Sequence, residues 1–146
     1  MFTVAFPNHN QETDTYTDCL LQIARPLAEM LKGIEPLNKE TIKALATKAF
    51  GGSDSQGAWV WKDVYEAQEI ALIMLLHAAN RWIQSHSPSE VLEWLKQKES
   101  LCVTNTFRSE NQQKLQQFST PIPLGYLVAL AAQIQDTDFV LEPSAG

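Results

Sequence analysis

The chain has 146 residues, of which 45% are hydrophobic, and it carries four Trp and six Phe. This is enough apolar material for the core of one domain, so a disordered tail is a poor description. The formal net charge of −6 and the sequence pI near 5.0 argue against a protein that holds nucleic acid by a global positive field, because neutralising phosphates requires clustered Lys and Arg.

Membrane and secretory signals are not found in the sequence. The longest apolar run, 70–79, is interrupted by His77 and is about half the roughly 20 residues that a bilayer span needs. Segment 1–10 has no basic region followed by an apolar stretch, so we expect a cytoplasmic protein without a membrane partner. Cys19 and Cys102 lie far apart, with no second Cys or His at ligand spacing, which predicts buried free thiols and no metal site.

The first predicted helix spans about 15–32. Thr13 and Asp14 precede apolar residues that recur at helical spacing, and Gly33 follows as a stop signal. Pro26 lies inside this pattern, where it removes a backbone donor. We therefore expect it to kink the helix or to divide it in two.

A short second helix is predicted over 39–50. Asn38 is a good N-cap, apolar residues share one face, and Gly51 supplies a left-handed end. The following stretch, 51–57, is rich in Gly and Ser and predicts a loop or a flexible hinge.

The strongest helical pattern runs from 61 to about 84, and we expect this helix to be central and the most buried. Ser87, Pro88 and Glu90 then form a capping box with proline at the first helical position, which predicts a helix over about 88–99. The apolar stripe of the central helix consists of Val64, Ala67, Gln68, Ala71, Leu72, Leu75, Ala78, Ala79 and Trp82.

The carboxy-terminal part begins with a connection over 101–108 and a polar helix over about 109–117. An apolar helix over 124–135 follows, and it should bury almost its whole surface. We predict a turn at 136–138 and then a buried strand at 139–141 that runs into a tight turn of small residues.

Two motifs lie on either side of the apolar helix: Gln-Phe-Ser-Thr-Pro-Ile-Pro at 117–123 and Phe-Val-Leu-Glu-Pro-Ser-Ala-Gly at 139–146. Small residues after a strand allow backbone amides to approach a ligand closely, and an acidic residue there can accept a hydrogen bond from it. Each motif alone is an ordinary helix start or turn. Their order along the chain makes the pair informative.

The pair resembles the start of adenine-specific DNA methyltransferases, which use S-adenosylmethionine and whose first cofactor motif is similar to Leu-Glu-Pro-Ser-Ala-Gly, preceded by an aromatic-Ser/Thr-Thr-Pro motif. With Gly-Ala-Trp-Val-Trp-Lys-Asp-Val-Tyr at 57–65 upstream, the chain is most similar to the amino-terminal part of strawberry-notch-like bacterial and phage proteins that join methyltransferase and helicase segments. The resemblance is strong over 105–146 and weaker over about 57–100.

The resemblance implies a cofactor half-site. Phe118 would pack near the cofactor, and Thr120 with Pro121 would shape the edge of the methionine pocket. The first-strand turn would be formed by Glu142, Pro143, Ser144, Ala145 and Gly146. An Asn/Asp-Pro-Pro-aromatic loop, which in the family holds the flipped adenine, does not occur in the sequence. The acidic residue of the second strand is also missing, so we expect no catalytic residue and no tight cofactor binding in this chain alone.

We therefore predict a mainly α protein: a helical bundle of about six helices, ending in the first strand of a truncated Rossmann-like methyltransferase sheet. Region 1–104 would be a helical accessory region, and 105–146 the truncated start of the methyltransferase domain. Its partner would be DNA. Because a lone apolar strand invites pairing, we expect 139–146 to pack irregularly on the helices or to pair with a second copy or a partner protein.

Two other functions fit the same sequence. One is a free-standing helical interaction or regulatory module that acts with a partner protein. The other is a local single-strand DNA binder using Trp59 and Arg108. Each of these residues also has a purely structural interpretation. The tryptophans would pack in the core, His77 would be a hydrogen-bonded core residue, and Arg108 and Lys114 would lie on a solvent-exposed helix face.

Overall fold

The structure, a computed structural model, describes residues 11–103, 120–135 and 137–141. These residues are mainly helical and contain no strand, which confirms the mainly α prediction for the described ranges. The polar helix predicted over 109–117 lies outside them. The six described α-helices are α1 (Gln11–Met30), α2 (Lys39–Phe50), α3 (Trp61–Ala78), α4 (Asn80–Ser85), α5 (Pro88–Ser100) and α6 (Ile122–Ala132).

Helix α1 runs without interruption through Pro26, so the proline does not divide the helix in two. An interior proline costs about 3 kcal/mol or more, because it removes one helical hydrogen bond and its ring crowds the preceding turn. Ile23 and Leu27, on either side of it, are fully buried. Burying each of these side chains contributes roughly 1.5–3 kcal/mol, which offsets the cost of the proline.

Helix α2 has the predicted bounds and caps. The Asn38 side chain accepts a hydrogen bond from the second residue of the helix at 2.7 Å, and Gly51 ends the helix with φ of +72°. The stretch that follows is more ordered than the predicted loop, because a 3₁₀ turn forms at Asp54–Gln56. The Gln56 side chain closes this turn by accepting a bond from Ser53 N at 2.9 Å.

Helix α3 is the most buried helix, as predicted, and α1 packs on it more extensively than on α2. Tyr16 of α1 contacts two carboxylates of α3: its hydroxyl lies 2.9 Å from both Asp63 Oδ1 and Glu66 Oε2. Asp63 also caps α3, accepting a bond from Val60 N at 2.8 Å. Burial and these two carboxylates raise the pKa of Tyr16 above its ordinary value. The buried residues of α3 are Asp63, Val64, Ala67, Gln68, Ala71, Leu72 and Leu75.

The single helix predicted over 61–84 is interrupted. Ala79 takes φ of −87° and ψ of 4°, so α3 ends before it and the short α4 begins after it. Ala79 N still donates to Leu75 O at 2.9 Å. The local sequence holds neither glycine nor proline, and nothing in the structure explains the break.

Helix α5 begins with the predicted capping box. Ser87 N donates to Glu90 Oε2 at 2.8 Å, and Glu90 N donates to Ser87 Oγ at 3.4 Å. At the other end of α5, Lys98 is buried and its Nζ donates to Gly33 O at 2.6 Å and to Lys32 O at 3.4 Å. The ammonium therefore binds the turn that follows α1, close to the carboxyl end of the helix, where the helix dipole favours a cation.

The segment after α5 is pinned to the body at two points. Leu37 N donates to Leu101 O at 2.8 Å. The buried Gln68 side chain accepts from Val103 N at 2.8 Å and donates to Val103 O at 3.2 Å, so one amide satisfies both backbone groups of that residue. Residues 101–103 thus belong to the same packed body as α1 to α3.

Both cysteines are free thiols, as predicted. Cys19 is buried, and its Sγ donates to Ala49 O at 3.1 Å. Cys102 is half-buried, and burial, with a smaller effect from Glu99, raises the pKa of its thiol to about 11.

Candidate functional site

The predicted cofactor half-site is described at two of its positions. Thr120 and Pro121 are both exposed and stand immediately before α6. The position of these two residues relative to the first-strand turn stays a prediction. The site residues outside the described ranges are Phe118, Glu142, Pro143, Ser144, Ala145 and Gly146.

Pro121 starts α6. Its carbonyl accepts bonds from Leu124 N at 2.9 Å and Gly125 N at 3.0 Å, and the extended backbone at Pro121, with ψ of 136°, turns the chain into the helix. Pro123 occupies the first turn, where a missing N–H costs nothing. The Thr-Pro-Ile-Pro motif therefore acts locally as a helix start, and it leaves the exposed Thr120 just outside the helix.

Helix α6 is apolar but largely exposed, so the prediction that it buries almost its whole surface is wrong. It contacts α5, Ile122 packs against the core, and within α6 only Pro123 is buried. Leu124 is 50% exposed and Val128 is 57% exposed. No described element covers this face, which is why an apolar sequence does not become a buried helix here.

The chain leaves α6 through a mostly polar turn. Gln133 ends the helix in the left-handed conformation, with φ of +53°. A turn follows, as predicted, in which Asp138 N donates to Gln135 O at 3.0 Å and Gln135 N donates to the Asp138 side chain at 2.8 Å.

The segment expected to form a strand is free of the helices. Phe139 is 105% exposed and Leu141 is 85% exposed, and no regular structure is assigned at 139–141. The prediction of a buried strand is therefore wrong for 139–141, and these three residues do not pack on the helices; the rest of the segment, 142–146, lies outside the described residues. Pairing with a second copy is not tested. We define the C-terminal apolar arm as residues 122–141 without residue 136.

The stacking site imagined at Trp59 does not exist. Trp59 is 2% exposed and stands edge-on to Trp61, with ring centroids 5.9 Å apart and an angle of 75° between the rings. A base cannot stack on a ring that solvent does not reach, so the single-strand DNA hypothesis loses its aromatic platform.

The other residue of that hypothesis, Arg108, lies outside the described ranges, as does Lys114. His77 is exposed, and the expectation that it lies in the core is wrong.

Sequence reasoning also missed a ring cluster between α4 and α5. Trp82 and Trp94 pack with centroids 5.2 Å apart, and His86 stacks on Trp82 at 4.1 Å. The four-residue spacing of Trp82 and His86 was the available signal, because residues i and i+4 meet on a helix face. All three rings are half-buried rather than enclosed in the core.

Comparison with known proteins identifies no relative of this chain. No family model matches the chain, and no curated protein or solved structure matches it. Within the described part of the chain, no three His, Cys, Asp or Glu side chains converge on a point where a metal ion could bind. The described helices also include none with the length and apolar character to cross a membrane.

Proposed function

We propose that this chain forms the amino-terminal portion of an S-adenosylmethionine-dependent DNA adenine methyltransferase and is catalytically incomplete alone. The observation that carries the proposal is the order of the two motifs, Phe-Ser-Thr-Pro at 118–121 and Leu-Glu-Pro-Ser-Ala-Gly at 141–146. Helix α6 lies between them. Region 1–104 would be the helical accessory region and 105–146 the start of the methyltransferase domain.

The exposure of the C-terminal apolar arm supports this proposal. A helix and a strand that belong to a layered α/β domain bury their apolar faces against neighbouring strands. The described residues contain no such strand, and the same faces lie in solvent, as observed for Val128 and Leu141. The arm is therefore as apolar as a layer buried inside a domain, but its side chains are exposed because no other described layer packs on it.

The described half-site is compatible with a ligand. Thr120 and Pro121 are exposed, so a ligand can reach them from solvent. S-adenosylmethionine would supply the methyl group, and the adenine-holding loop would have to come from other residues. Glu142 would accept a hydrogen bond from the cofactor, and the small residues through Gly146 would allow its close approach.

The test is cofactor affinity measured by calorimetry on two chains. The 146-residue chain should show no binding tighter than about millimolar, whereas a chain extended along its reading frame should bind in the micromolar range. In the extended chain, Glu142→Ala should weaken binding about tenfold, because it removes a charge-assisted hydrogen bond. Glu29→Ala, at an exposed surface position, is the matched control and should have no effect.

Two results would overturn the proposal. One is micromolar cofactor binding by the 146-residue chain, which would mean that the site is complete without further strands. The other is an extended frame that lacks an Asn/Asp-Pro-Pro-aromatic motif and fails to bind the cofactor.

A second candidate function is a helical interaction module that acts with a partner protein. It is favoured by the same exposed arm, because contiguous apolar patches on a protein surface mark interaction sites. Co-purification of the tagged chain should then recover one partner in fixed stoichiometry. Replacing Leu127 and Val128 by Gln should abolish its recovery, and recovery unchanged by these substitutions would refute this function.

A further inference from the structure

The ring cluster between α4 and α5 lines an open groove of about 800 Å³. Trp82 and Trp94 pack at 5.2 Å with their planes tilted by 44°. The His86 ring covers Trp82 at 4.1 Å, nearly parallel to it, with an angle of 28°. His86 Nδ1 lies 2.7 Å from Trp82 O and 3.1 Å from the Ser85 hydroxyl. The His86 ring is therefore fixed on Trp82 by its contacts with the Trp82 carbonyl and the Ser85 hydroxyl.

One face of α5 adds acidic and polar groups to the same groove. Glu90, Glu93, Trp94 and Gln97 all line it, and their spacing of three and four residues places them along one side of the helix. Hydrogen bonds from Ser87 lower the pKa of Glu90 below its ordinary value, so this carboxylate is ionised at neutral pH. The groove thus presents carboxylates beside aromatic rings.

The charge balance of the groove favours a cationic guest. Among the described residues that line the groove, Lys96 is the one basic side chain with a fixed charge. Its Nζ lies 3.5 Å from Glu93, with the lysine side chain 56% exposed and the glutamate 77% exposed. An ion pair this exposed holds its partners weakly, so a better cation can displace the ammonium.

We propose that this groove binds an arginine side chain of a basic peptide partner, with the guanidinium stacked against the Trp94 ring, since His86 already stacks on Trp82, and paired with the carboxylates of Glu90 and Glu93. A planar guanidinium suits both surfaces at once, since it stacks on aromatic rings and donates two parallel hydrogen bonds to a carboxylate. A lysine ammonium is more strongly hydrated and lacks a flat face. Nucleic acid fits poorly, because its phosphates would meet these two carboxylates. The proposal is independent of the methyltransferase proposal, which concerns residues 105–146.

The test is an NMR titration that follows the indole N–H signals of the chain's four tryptophans, with the peptide Gly-Arg-Gly-Arg-Gly as the probe. The signals of Trp82 and Trp94 should shift in a saturable manner at low salt, while those of Trp59 and Trp61 should not. The same peptide with citrulline in place of arginine keeps the shape but lacks the charge, and it should bind at least tenfold more weakly. The lysine peptide should bind at least threefold more weakly.

Glu93→Gln provides the site variant, since the residue is exposed and the fold does not depend on it. It should weaken binding of the arginine peptide at least threefold. Glu29→Gln is its matched control, because Glu29 forms an equivalent exposed pair with a lysine three residues later, and it should leave binding unchanged.

Four results would overturn the proposal. Citrulline peptide binding equal to that of arginine would mean that stacking alone drives binding, and equal binding of the lysine peptide would mean unspecific charge attraction. Equal weakening by Glu29→Gln would indicate the global field of the protein. A single-stranded oligonucleotide that shifts the Trp82 and Trp94 signals more strongly than the peptide would make nucleic acid the occupant.

Discussion

Replacing Lys98 by Met removes the buried ammonium from the carboxyl end of α1 and keeps most of the aliphatic stem. Lys98 is 4% exposed, and its Nζ lies 2.6 Å from Gly33 O. The substitution removes the donor from both carbonyl oxygens, Gly33 O and the more distant Lys32 O. The side chain of Met has nearly the volume of the lysine stem, so the change tests the capping charge and not the packing.

The expected loss is about 1–3 kcal/mol of unfolding free energy. A hydrogen bond to a charged group is worth about 1.5–3 kcal/mol, and a cation at a helix carboxyl end adds about 0.3–1 kcal/mol. Against this, Met relieves the desolvation penalty of holding an ammonium in a buried site. Because two carbonyl acceptors already offset much of this penalty in the folded protein, we expect the capping contribution to dominate.

Urea unfolding followed by far-UV circular dichroism measures the effect, with Lys96→Met as the matched control. Lys96 lies on the same helix, its change removes the same charge, and its ion pair with Glu93 is exposed, so its loss should cost at most about 1 kcal/mol. A Lys98→Met protein as stable as Lys96→Met, at an unchanged denaturant slope, would refute the view that this ammonium caps α1.

Three further outcomes are expected. Asn38→Ala should destabilise the protein by about 1 kcal/mol through loss of the α2 cap, and an unchanged urea midpoint would contradict this. Replacing Leu127 and Val128, which are 42% and 57% exposed, by Gln should leave stability within about 0.5 kcal/mol and should reduce self-association in light scattering; a large stability loss would mean that the face is covered in solution. Burial raises the pKa of the Cys102 thiol from its ordinary value of 9.0 to about 11 in the folded state, so the folded and unfolded chains differ in protonation between these two pH values. The unfolded chain therefore releases this proton first, so stability should fall as pH rises through this window, and Cys102→Ala should flatten that fall in pH-dependent urea unfolding; an unaltered slope would show that the thiol does not contribute.

Features decided by a few neighbouring residues were predictable from the sequence. The bounds of α2 follow from Asn38 and Gly51, and the start of α5 follows from the Ser87 and Glu90 capping box. These signals act over one helical turn, so they hold whatever the rest of the chain does. The buried stripe of α3 was predictable for a related reason, because six of the nine predicted stripe residues, from Val64 to Leu75, repeat at helical spacing and are buried, whereas Ala78, Ala79 and Trp82 are not.

Features decided by tertiary contacts were not predictable. Pro26 reads as a break, yet the burial of its neighbours keeps α1 continuous. Helix α6 reads as buried because its residues are apolar, yet burial requires a surface to pack on, and no described element supplies one. Trp59 was proposed as a stacking residue for single-stranded DNA, and packing places it in the core.

The sequence predicted which two motifs would form the candidate site, but it did not predict how their residues are arranged in space. Thr120 and Pro121 are described and exposed, and the first-strand turn at 142–146 lies outside the described residues. The ring cluster at Trp82, His86 and Trp94 depends on how two helices meet across the turn at Ser87. Sequence spacing alone gives one of its two ring contacts.

The close packing of α1 on α3 has a consequence for synthesis on the ribosome. The last residue of α1, Met30, is made about 30 residues before Trp61, the first residue of α3, which is a delay of roughly 2–6 seconds at 5–20 residues per second. During that interval Ile23, Leu27 and Leu31, which end fully buried, lack the cover that α3 later supplies. Nascent chains stalled between these two points should therefore be the ones that chaperones hold most strongly.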